Sequence, residues 1–359
     1  MQRPKQGTKA LVGALCKTTP CRASPENFLF NIVKRITPSA GIYWFSSNIH
    51  SSEIMWWWGN SIKFDPDQDI GDLQGKVILV TGGNSGLGKE TVLRLAKHNP
   101  KCIYLGTRSL ERGEAALDDI KNETPDSNIR LLEIDMASFA SIESAVAVIK
   151  ADFDRLDVLI NNAGISNLPP DVTKDGYELQ FGTNHMGHAL LTKLLLPTML
   201  KTAESAPAGA VRIVNISSDG HYHTTAPGIN FDDLNLGNNW ARYAQSKLAN
   251  ILHAKALAKR YTTIVSVAVS PGTVRTSIFE KMNSPVMNIL ITLFGWASLV
   301  TIPEGCKNQL WAATAPGVEP GFYYWPIGIK GGGNKFARDE ALEEKLWEWT
   351  EAELAKHGY

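Results

Sequence analysis

The sequence predicts a doubly wound parallel α/β fold, a single domain that follows an N-terminal extension, and three observations support this prediction. Short apolar runs alternate with amphipathic helical patterns between residues 77 and 269, as in a parallel sheet with helices on both faces. A glycine-rich stretch at residues 81–88 lies between the first apolar run and the first helical pattern. Most of the later runs end in polar or glycine residues, at the sheet edge where ligands of such folds bind.

The elements follow one another in a regular order. The predicted strands are residues 77–80, 103–105, 129–134, 158–160, 211–216 and 264–269. The predicted helices after the first cover residues 111–120, 141–149, 179–196 and 242–258. Residues 322–325 are predicted to form the final strand, and the last helix has a buried stripe made of Leu342, Leu346, Trp349 and Leu354.

The glycine-rich stretch occupies a strand-to-helix turn. Small residues there let backbone N–H groups approach a pyrophosphate, and the helix N-terminus favours its negative charge. Residues 83–89 nearly spell a phosphate-binding P-loop, but Glu90 stands where that motif needs a serine or threonine hydroxyl for magnesium. The stretch therefore favours a dinucleotide over a nucleoside triphosphate.

A second motif places a phenol next to an ammonium group. Tyr243 and Lys247 lie four residues apart in a helical pattern, so both side chains leave the same face. Either residue alone is commonly structural, because tyrosines often pack in cores and lysines often lie on solvated helix faces. Their order relative to the glycine-rich stretch and the strand ends favours a functional role.

Together these motifs resemble the short-chain dehydrogenase/reductase family over about residues 73–354, in the branch with a Thr-Gly-x-x-x-Gly-x-Gly cofactor motif. That motif is matched by Thr81, Gly82, Gly86 and Gly88, and the family's Asn-Asn-Ala-Gly motif by residues 161–164. The catalytic tetrad is matched by Asn184, Ser218, Tyr243 and Lys247, and the nicotinamide-side loop by Pro271, Gly272 and Thr276. Residues 184–188 and 228–231 resemble retinol-dehydrogenase-like members, and residues 64–66 and 73–77 are similar to fungal members of that group.

The resemblance implies an oxidoreductase with a Rossmann-type fold, which transfers a hydride between a nicotinamide and a carbonyl or alcohol group. Tyr243 is expected to protonate the carbonyl oxygen, and Ser218 to donate a hydrogen bond to the same oxygen. Lys247 is expected to lower the pKa of the Tyr243 phenol and to bind the nicotinamide ribose. Asn184 would, as the resemblance implies, anchor a water that links Lys247 to solvent.

The predicted cofactor is NADP(H). Enzymes that prefer NAD place an acidic residue about twenty residues after the last glycine, but residues 106–109 contain none. Arg108 lies there instead, and its guanidinium suits a ribose phosphate, with Thr107 or Ser109 as a helper. The predicted cofactor contacts are Thr81, Gly82, Asn84, Ser85, Gly86, Leu87, Gly88, Arg108, Asp135, Asn162, Ala163, Gly164, Tyr243, Lys247, Pro271, Gly272, Val274 and Thr276.

Three polar residues have more than one interpretation. Asp135 can either bind adenine or cap the helix that begins near Ser138, and both alternatives stay open. His185 and His188 are spaced like a metal-binding pair, but no third ligand is apparent in the sequence. No metal site is therefore predicted, and both histidines are interpreted as packing or polar surface residues.

Composition limits the partners and the compartment. The 359 residues carry 36 basic and 36 acidic side chains, so no global charge indicates a nucleic-acid partner. The four cysteines lack metal or redox spacing, which favours a reduced, cytoplasmic location, with mitochondrial or peripheral-membrane locations as alternatives. A homodimer stays an open alternative to a monomer.

Residues 1–72 lie outside the resemblance and are predicted to form an extension. Up to residue 40 it is rich in basic side chains, as in mitochondrial targeting segments. Its tryptophans at positions 44 and 56–58 either contact a membrane interface or pack against the domain. A true start at Met55 is a further alternative.

Residues 276–303 occupy the position of a substrate lid, as the resemblance implies. The apolar run at 286–302 indicates an apolar substrate, such as a retinoid-like or polyketide-like ketone, aldehyde or alcohol, with membrane contact as the competing interpretation. A catalytically silent cofactor-sensing or interaction protein on the same fold is the alternative function. A dehydratase or epimerase is disfavoured by the glycine spacing.

Overall fold

The computed structural model describes residues 61–272, 274 and 300–359, which belong to one unit, Trp57–Tyr359. Within these residues eight strands form one sheet: β1 Val77–Thr81, β2 Cys102–Thr107, β3 Ile129–Glu133, β4 Val158–Asn161, β5 Arg212–Ile216, β6 Val265–Val269, β7 Tyr323–Tyr324 and β8 Lys330–Gly331. The spatial order is β3-β2-β1-β4-β5-β6-β7-β8, and only β7 and β8 pair antiparallel. The predicted doubly wound, Rossmann-type sheet is confirmed, and its order reverses between β1 and β4.

Helices flank both faces of the sheet. They are α1 Pro66–Asp69, α2 Gly86–Ala96, α3 Leu110–Glu123, α4 Phe139–Asp152, α5 Leu179–Phe181, α6 Gly187–Ser205, α7 Asn239–Arg260, α8 Ile302–Gly305, α9 Lys307–Thr314 and α10 Glu340–Lys356. A π-helix, Gly182–Met186, joins α5 to α6, and 3₁₀ turns occur at Asp219–His223 and Phe336–Arg338. Within the described residues, no helix is both long and apolar enough to cross a bilayer.

Capping residues set the starts of the longer helices. The side chains of Ser109, Ser138 and Asn238 accept hydrogen bonds from backbone N–H groups in the first turns of α3, α4 and α7. Each cap lies before the first apolar residue of its helix. The predicted starts of these three helices, at residues 111, 141 and 242, are one to three residues too late.

The sheet is buried on both sides. In β1, Val77 and Leu79 face one apolar cluster while Ile78 and Val80 face the other, and none of the four is more than 1% exposed. This matches a parallel sheet covered by helices on both faces, whose strands are apolar throughout. The carboxyl edge is consequently the place where polar side chains of the strand ends gather.

Residues 61–72, which the sequence assigns to the extension, pack against the domain. Phe64 and Ile70 are buried, and the N–H group of Ile62 donates to the carbonyl of Ile327 at 3.0 Å. The packed part of the chain thus begins before residue 73. The targeting and membrane hypotheses for residues 1–60 and the lid prediction up to residue 299 lie outside the described residues.

The last helix, α10, covers α7. Its predicted apolar stripe is buried at Leu342, Leu346 and Leu354. Glu343 is 1% exposed and lies 3.4 Å from the ammonium of Lys255 and 3.0 Å from that of Lys259, both on α7. Apolar packing and these ion pairs together fix α10 on the helix that carries Tyr243 and Lys247.

A buried carboxylate ties β1 to β4. Asp157 is fully buried, accepts a hydrogen bond from the N–H group of Val77 at 3.0 Å, and pairs with Arg155 and Lys76. Burial alone would raise the pKa of this carboxyl, but the bonds from Arg155 and Val77 outweigh it and hold the pKa below the ordinary 3.8. The carboxylate therefore stabilises the fold above pH 3.8, and this contribution is lost as the pH falls through the lower folded-state pKa.

We expect Asp157→Asn to lower the free energy of unfolding at pH 7 by about 1–3 kcal/mol, because Arg155 and Lys76 lose their buried acceptor. Urea unfolding measures this loss, which should shrink as the pH falls below about 4. Asp154→Asn is the matched control, because Asp154 is 82% exposed and pairs only with Lys201 among the described residues. An equal loss in the two variants would contradict the proposed role of Asp157.

Candidate active site

The glycine turn between β1 and α2 is too tight for larger residues. Gly82 has a φ of +67°, and a Cβ on Gly88 would lie 2.2 Å from the carbonyl oxygen of Gly82 and 2.6 Å from Nδ2 of Asn162. Ser85 precedes α2 without a side-chain cap bond. The first N–H groups of α2 therefore lie at a turn of small residues without a side-chain cap. Such a turn fits a pyrophosphate.

Thr81 joins the glycine turn to the end of β4. Its Oγ1 accepts hydrogen bonds from the N–H groups of Asn162 and Ala163, both at 2.9 Å. Nδ2 of Asn162 donates back to the carbonyl of Thr81 at 2.8 Å. In the structure Thr81 thus positions the turn from beneath, and a direct contact of its hydroxyl with a cofactor stays a prediction.

Arg108 lies exposed just after β2, beside the glycine turn. The N–H group of Gly83 donates to the carbonyl of Gly106 at 2.9 Å, which holds the turn next to the end of β2. Among the described residues no hydrogen bond or ion pair engages the Arg108 guanidinium. Thr107 is buried and exchanges hydrogen bonds with Ser109, so Ser109 is the better placed of the two predicted helpers.

Asp135 does not cap α4. That position is taken by Ser138, whose hydroxyl accepts from the N–H group of Ser141. One carboxylate oxygen of Asp135 accepts from the N–H group of Ala137 at 3.0 Å, and the other lies 3.5 Å from the ammonium of Lys174. The capping interpretation is therefore wrong, and the adenine contact stays a prediction.

Ser218 and Tyr243 meet where β5 ends. A Cβ on Gly220 would lie 2.7 Å from the Tyr243 ring, so only glycine lets the loop pass the phenol this closely. The N–H group of Gly220 donates to Oγ of Ser218 at 3.0 Å, which leaves the Ser218 proton free to donate elsewhere. The ring of Trp240 stands edge-on to Tyr243, with centroids 6.0 Å apart.

Lys247 is 4% exposed and reaches the same region from one turn further along α7. Its Nζ donates to the carbonyl of Ile216 at 3.0 Å and lies 5.8 Å from the centre of the Tyr243 ring. Nδ2 of Asn250 donates to the same carbonyl at 2.9 Å. A Cβ on Gly164 would lie 3.3 Å from Nζ, so this glycine keeps space beside the ammonium open.

Asn184 lies on the π-helix, fully buried. Its Oδ1 accepts from the N–H group of Ile165, and its Nδ2 donates to the carbonyl of Ile165 and to Oγ of Ser246, at 2.9, 2.9 and 3.0 Å. Both amide protons are therefore committed. The structure brings all four predicted tetrad residues to one edge of the sheet, while the expected water contact of Asn184 stays a prediction.

Burial decides the pKa of Tyr243 in this structure, and the expected lowering by Lys247 stays a prediction. Desolvation by the surrounding groups raises the pKa of Tyr243 to about 12, the hydrogen bond from Ser218 lowers it, and the charge of Asp219 raises it further. Burial also lowers the pKa of Lys247 to about 8, which weakens the ammonium as a source of positive charge. Asp219, whose Oδ1 accepts from Oγ of Ser270 at 2.5 Å, was not anticipated from the sequence.

The nicotinamide-side loop is described only in part. Gly272 has a φ of +76°, and its N–H group donates to Oγ of Ser270 at 3.2 Å. Val274 is buried and forms a parallel bridge with Val300. Pro271 precedes this glycine, and Thr276 lies outside the described residues.

Three histidines near the site are buried, so the surface interpretation of His185 and His188 is wrong. His185 binds Oγ1 of Thr350 on α10, and His188 binds the carbonyl of Asn184 and Oγ1 of Thr81. His221, missed in the sequence, lies 2.6 Å from the carbonyl of Ser218 through its Nδ1. Among the described residues no three histidine, cysteine or acidic side chains come together to hold a metal.

The chain matches known proteins over most of the described part. The family model of the short chain dehydrogenases matches residues 76–286. A short-chain dehydrogenase/reductase of Aspergillus calidoustus is 39% identical over 301 residues, which cover 79% of this chain and 95% of the relative. Retinol dehydrogenase 14 of Homo sapiens is 36% identical, over 79% of this chain and 87% of the relative.

A solved structure agrees with the sheet described above. A protein from Mycobacterium paratuberculosis superposes with a TM-score of 0.61 at 27% sequence identity, covering 80% of this chain and 96% of that protein. The predicted resemblance to retinol-dehydrogenase-like and fungal proteins is thus confirmed by the sequence relatives.

We expect Lys247→Met to stabilise the protein at pH 7 when it is purified without cofactor. Burying an ammonium lowers its pKa from 10.5 to about 8, so the charged form destabilises the folded state below pH 8, by about 3 kcal/mol. The carbonyl of Ile216 keeps Asn250 as a donor. Urea unfolding should show a gain that shrinks as the pH rises from about 8 to 10.5.

The control is Lys201→Met, because Lys201 is 64% exposed and no such pH dependence is expected there. A Lys247→Met protein that is less stable than wild type at pH 7 would contradict the buried-charge interpretation.

Proposed function

The chain belongs to the short-chain dehydrogenase/reductase family, and we propose that within it the protein is an NADP(H)-dependent oxidoreductase that acts on a carbonyl or alcohol group of an apolar substrate. The observation that carries this proposal is the meeting of Ser218, Tyr243 and Lys247 at one edge of the sheet, next to the glycine turn. The reaction needs a proton donor at that edge and a place for the nicotinamide, which supplies or accepts the hydride when bound.

The residues of the turn fit a dinucleotide. Gly82 and Gly88 let the turn pack closely against itself and the end of β4, and the first turn of α2 provides N–H groups at the same point. Gly164 leaves space beside the ammonium of Lys247, where a ribose hydroxyl would bind. Arg108, exposed and without a protein partner in the described part of the chain, is the proposed contact for the 2′-phosphate.

Tyr243 is the proposed general acid and base. Its phenol holds its proton at neutral pH, because the pKa of the buried group is about 12. Such a phenol can donate to a carbonyl oxygen that gains negative charge, and the Ser218 hydroxyl, which here hydrogen-bonds the phenol, would donate to the same carbonyl oxygen. Lys247, with a pKa of about 8, can exchange a proton close to neutral pH and so restore the donor.

An apolar substrate is supported by the surroundings of Tyr243. The half-buried Trp240 ring packs edge-on beside the phenol and gives this part of the site an aromatic side chain. A relative with 36% identity bears the name retinol dehydrogenase, and retinol is an apolar alcohol. Both observations favour a bulky apolar carbonyl or alcohol over a small polar one.

We predict that Tyr243→Phe lowers kcat at least on the order of 10²-fold, because only the transferable proton is removed. Cofactor affinity, measured from the quenching of protein fluorescence, should stay within about 3-fold of wild type. The loss of the hydroxyl is expected to change the binding free energy by less than about 1 kcal/mol. The matched control is Tyr261→Phe, at the end of the same helix α7. Near-normal turnover by a folded Tyr243→Phe protein would rule out the proposed proton donor and favour the catalytically silent alternative.

We predict that wild type uses NADPH with a higher kcat/KM than NADH, and that Arg108→Ala lowers this ratio at least about 10-fold, because a charged hydrogen bond to the 2′-phosphate is lost. Steady-state kinetics with both cofactors measure the ratio. Lys121→Ala, an exposed change near the end of the following helix α3, should leave the ratio unchanged. Equal use of both cofactors by wild type would overturn the NADP(H) assignment.

A further inference from the structure

His188 contacts two parts of the site from beneath. Its Nδ1 lies 3.1 Å from the carbonyl oxygen of Asn184, and its Nε2 lies 2.9 Å from Oγ1 of Thr81. The same Oγ1 accepts from the N–H groups of Asn162 and Ala163. One imidazole therefore links the residue before the glycine turn, the end of β4 and the π-helix that carries Asn184.

The partners determine which nitrogen of His188 carries the proton. A carbonyl oxygen only accepts, so Nδ1 must donate to Asn184. In a neutral imidazole Nε2 is then an acceptor. Thr81 donates its hydroxyl proton to it, because Nε2 lies 2.9 Å from Oγ1 while the other acceptor, the carbonyl oxygen of Ile160, lies 3.4 Å away. The lone pairs of the Thr81 oxygen remain for Asn162 and Ala163, so every polar atom in this group has a partner.

The imidazole is neutral in the working range of pH. Burial lowers the pKa of His188 to about 3, the hydrogen bond to Asn184 raises it, and the charge of Lys247 lowers it. His188 is only 3% exposed, so it offers almost no surface to a substrate or cofactor. Any effect of this residue on the reaction must act through Thr81 and Asn184.

We infer that His188 is a positioning residue that couples the cofactor turn to the proton-transfer residues, an inference that rests on the proposed function. Through Thr81 it fixes residues 81–88 relative to β4, and through Asn184 it fixes the π-helix beside Lys247. Oδ1 of Asn184 and Nζ of Lys247 both lie 3.3 Å from the position of a Cβ on Gly164, so movement of the π-helix would change the space next to the ammonium.

Each of two variants removes one of the two hydrogen bonds of His188, either the one with Thr81 or the one with Asn184. In His188→Asn the shorter amide can still donate to Asn184 but no longer reaches Thr81, so we expect a cofactor dissociation constant about 10-fold higher and a smaller change in kcat. In His188→Gln the amide oxygen can accept from Thr81 while the donor to Asn184 is lost, so we expect kcat to fall about 10-fold with a smaller change in affinity.

Affinity is measured by titrating NADPH against protein fluorescence, and kcat with the aldehyde or ketone that wild type reduces fastest in a panel. The matched control is His185→Asn, which removes a buried histidine–threonine bond of the same kind, 3.0 Å to Thr350, away from the glycine turn. This control should lower the thermal midpoint while affinity and kcat stay within about 2-fold of wild type, as expected of a purely structural bond.

The proton position is tested without any cofactor. In protein labelled with ¹⁵N-histidine, the signals that disappear in the His188 variants should belong to an imidazole protonated on Nδ1 that does not titrate between pH 5 and 8. A proton on Nε2, a titrating signal, or His188 variants that behave like His185→Asn would overturn the inference. If wild type binds neither NADPH nor NADH, the proposed function fails, and the ¹⁵N signals still decide whether the His188 connection exists.

Discussion

The contact between the ends of β1 and β4 is the constraint on which the rest of the site depends. A doubly wound sheet opens between these two strands, because the chain order reverses there, and a crevice forms at their carboxyl ends. Thr81 closes the base of that crevice with a single hydroxyl that bonds Asn162 and Ala163. The glycine turn begins at the next residue, and Gly164 follows directly on the other side. The geometry of the cofactor turn and the space beside Lys247 therefore share one anchor.

The same edge holds two buried groups, the Tyr243 phenol and the Lys247 ammonium, whose charged forms are disfavoured by burial. Lys247 lies deep in the packed domain, and burial lowers its pKa to about 8, while burial raises the pKa of Tyr243 to about 12. Neither shift stabilises the fold. The Lys247 shift brings its pKa close to neutral pH, where a proton source needs it, whereas the Tyr243 shift keeps the phenol protonated at that pH. Such a site persists because the surrounding sheet and helices are held by unrelated interactions, such as the buried carboxylate of Asp157.

Polar contacts fix α7 at both of its ends. At its start, the guanidinium of Arg242, directly before Tyr243, donates to the carbonyls of Asn235 and Gly237 and lies 3.5 Å from the carboxylate of Glu178. At its end, Lys255 and Lys259 pair with Glu343 of α10. Glu178 also accepts from the N–H group of Phe181, at the start of the helical segment that leads to Asn184. The two helical segments that carry Asn184, Tyr243 and Lys247 are thereby joined to each other.

What the sequence predicts well is what depends on local pattern. Strand alternation and glycine spacing placed the sheet and the cofactor turn, because burial on both faces and a tight turn each demand particular residue types at fixed intervals. Effects that depend on distant neighbours were missed. Desolvation by the elements around Tyr243 raises the pKa of its phenol, which the spacing of Tyr243 and Lys247 could not show. The cap of α4 was missed for a local reason, because Asp135 and Ser138 both offer an acceptor just before the helix. His188 shows the same limit: its spacing from Asn184 placed both on one helical face, yet its second partner, Thr81, lies 107 residues away in sequence. A pattern confined to one segment cannot distinguish a histidine that packs from one that joins two segments, since the distinction lies in the partner of its other nitrogen.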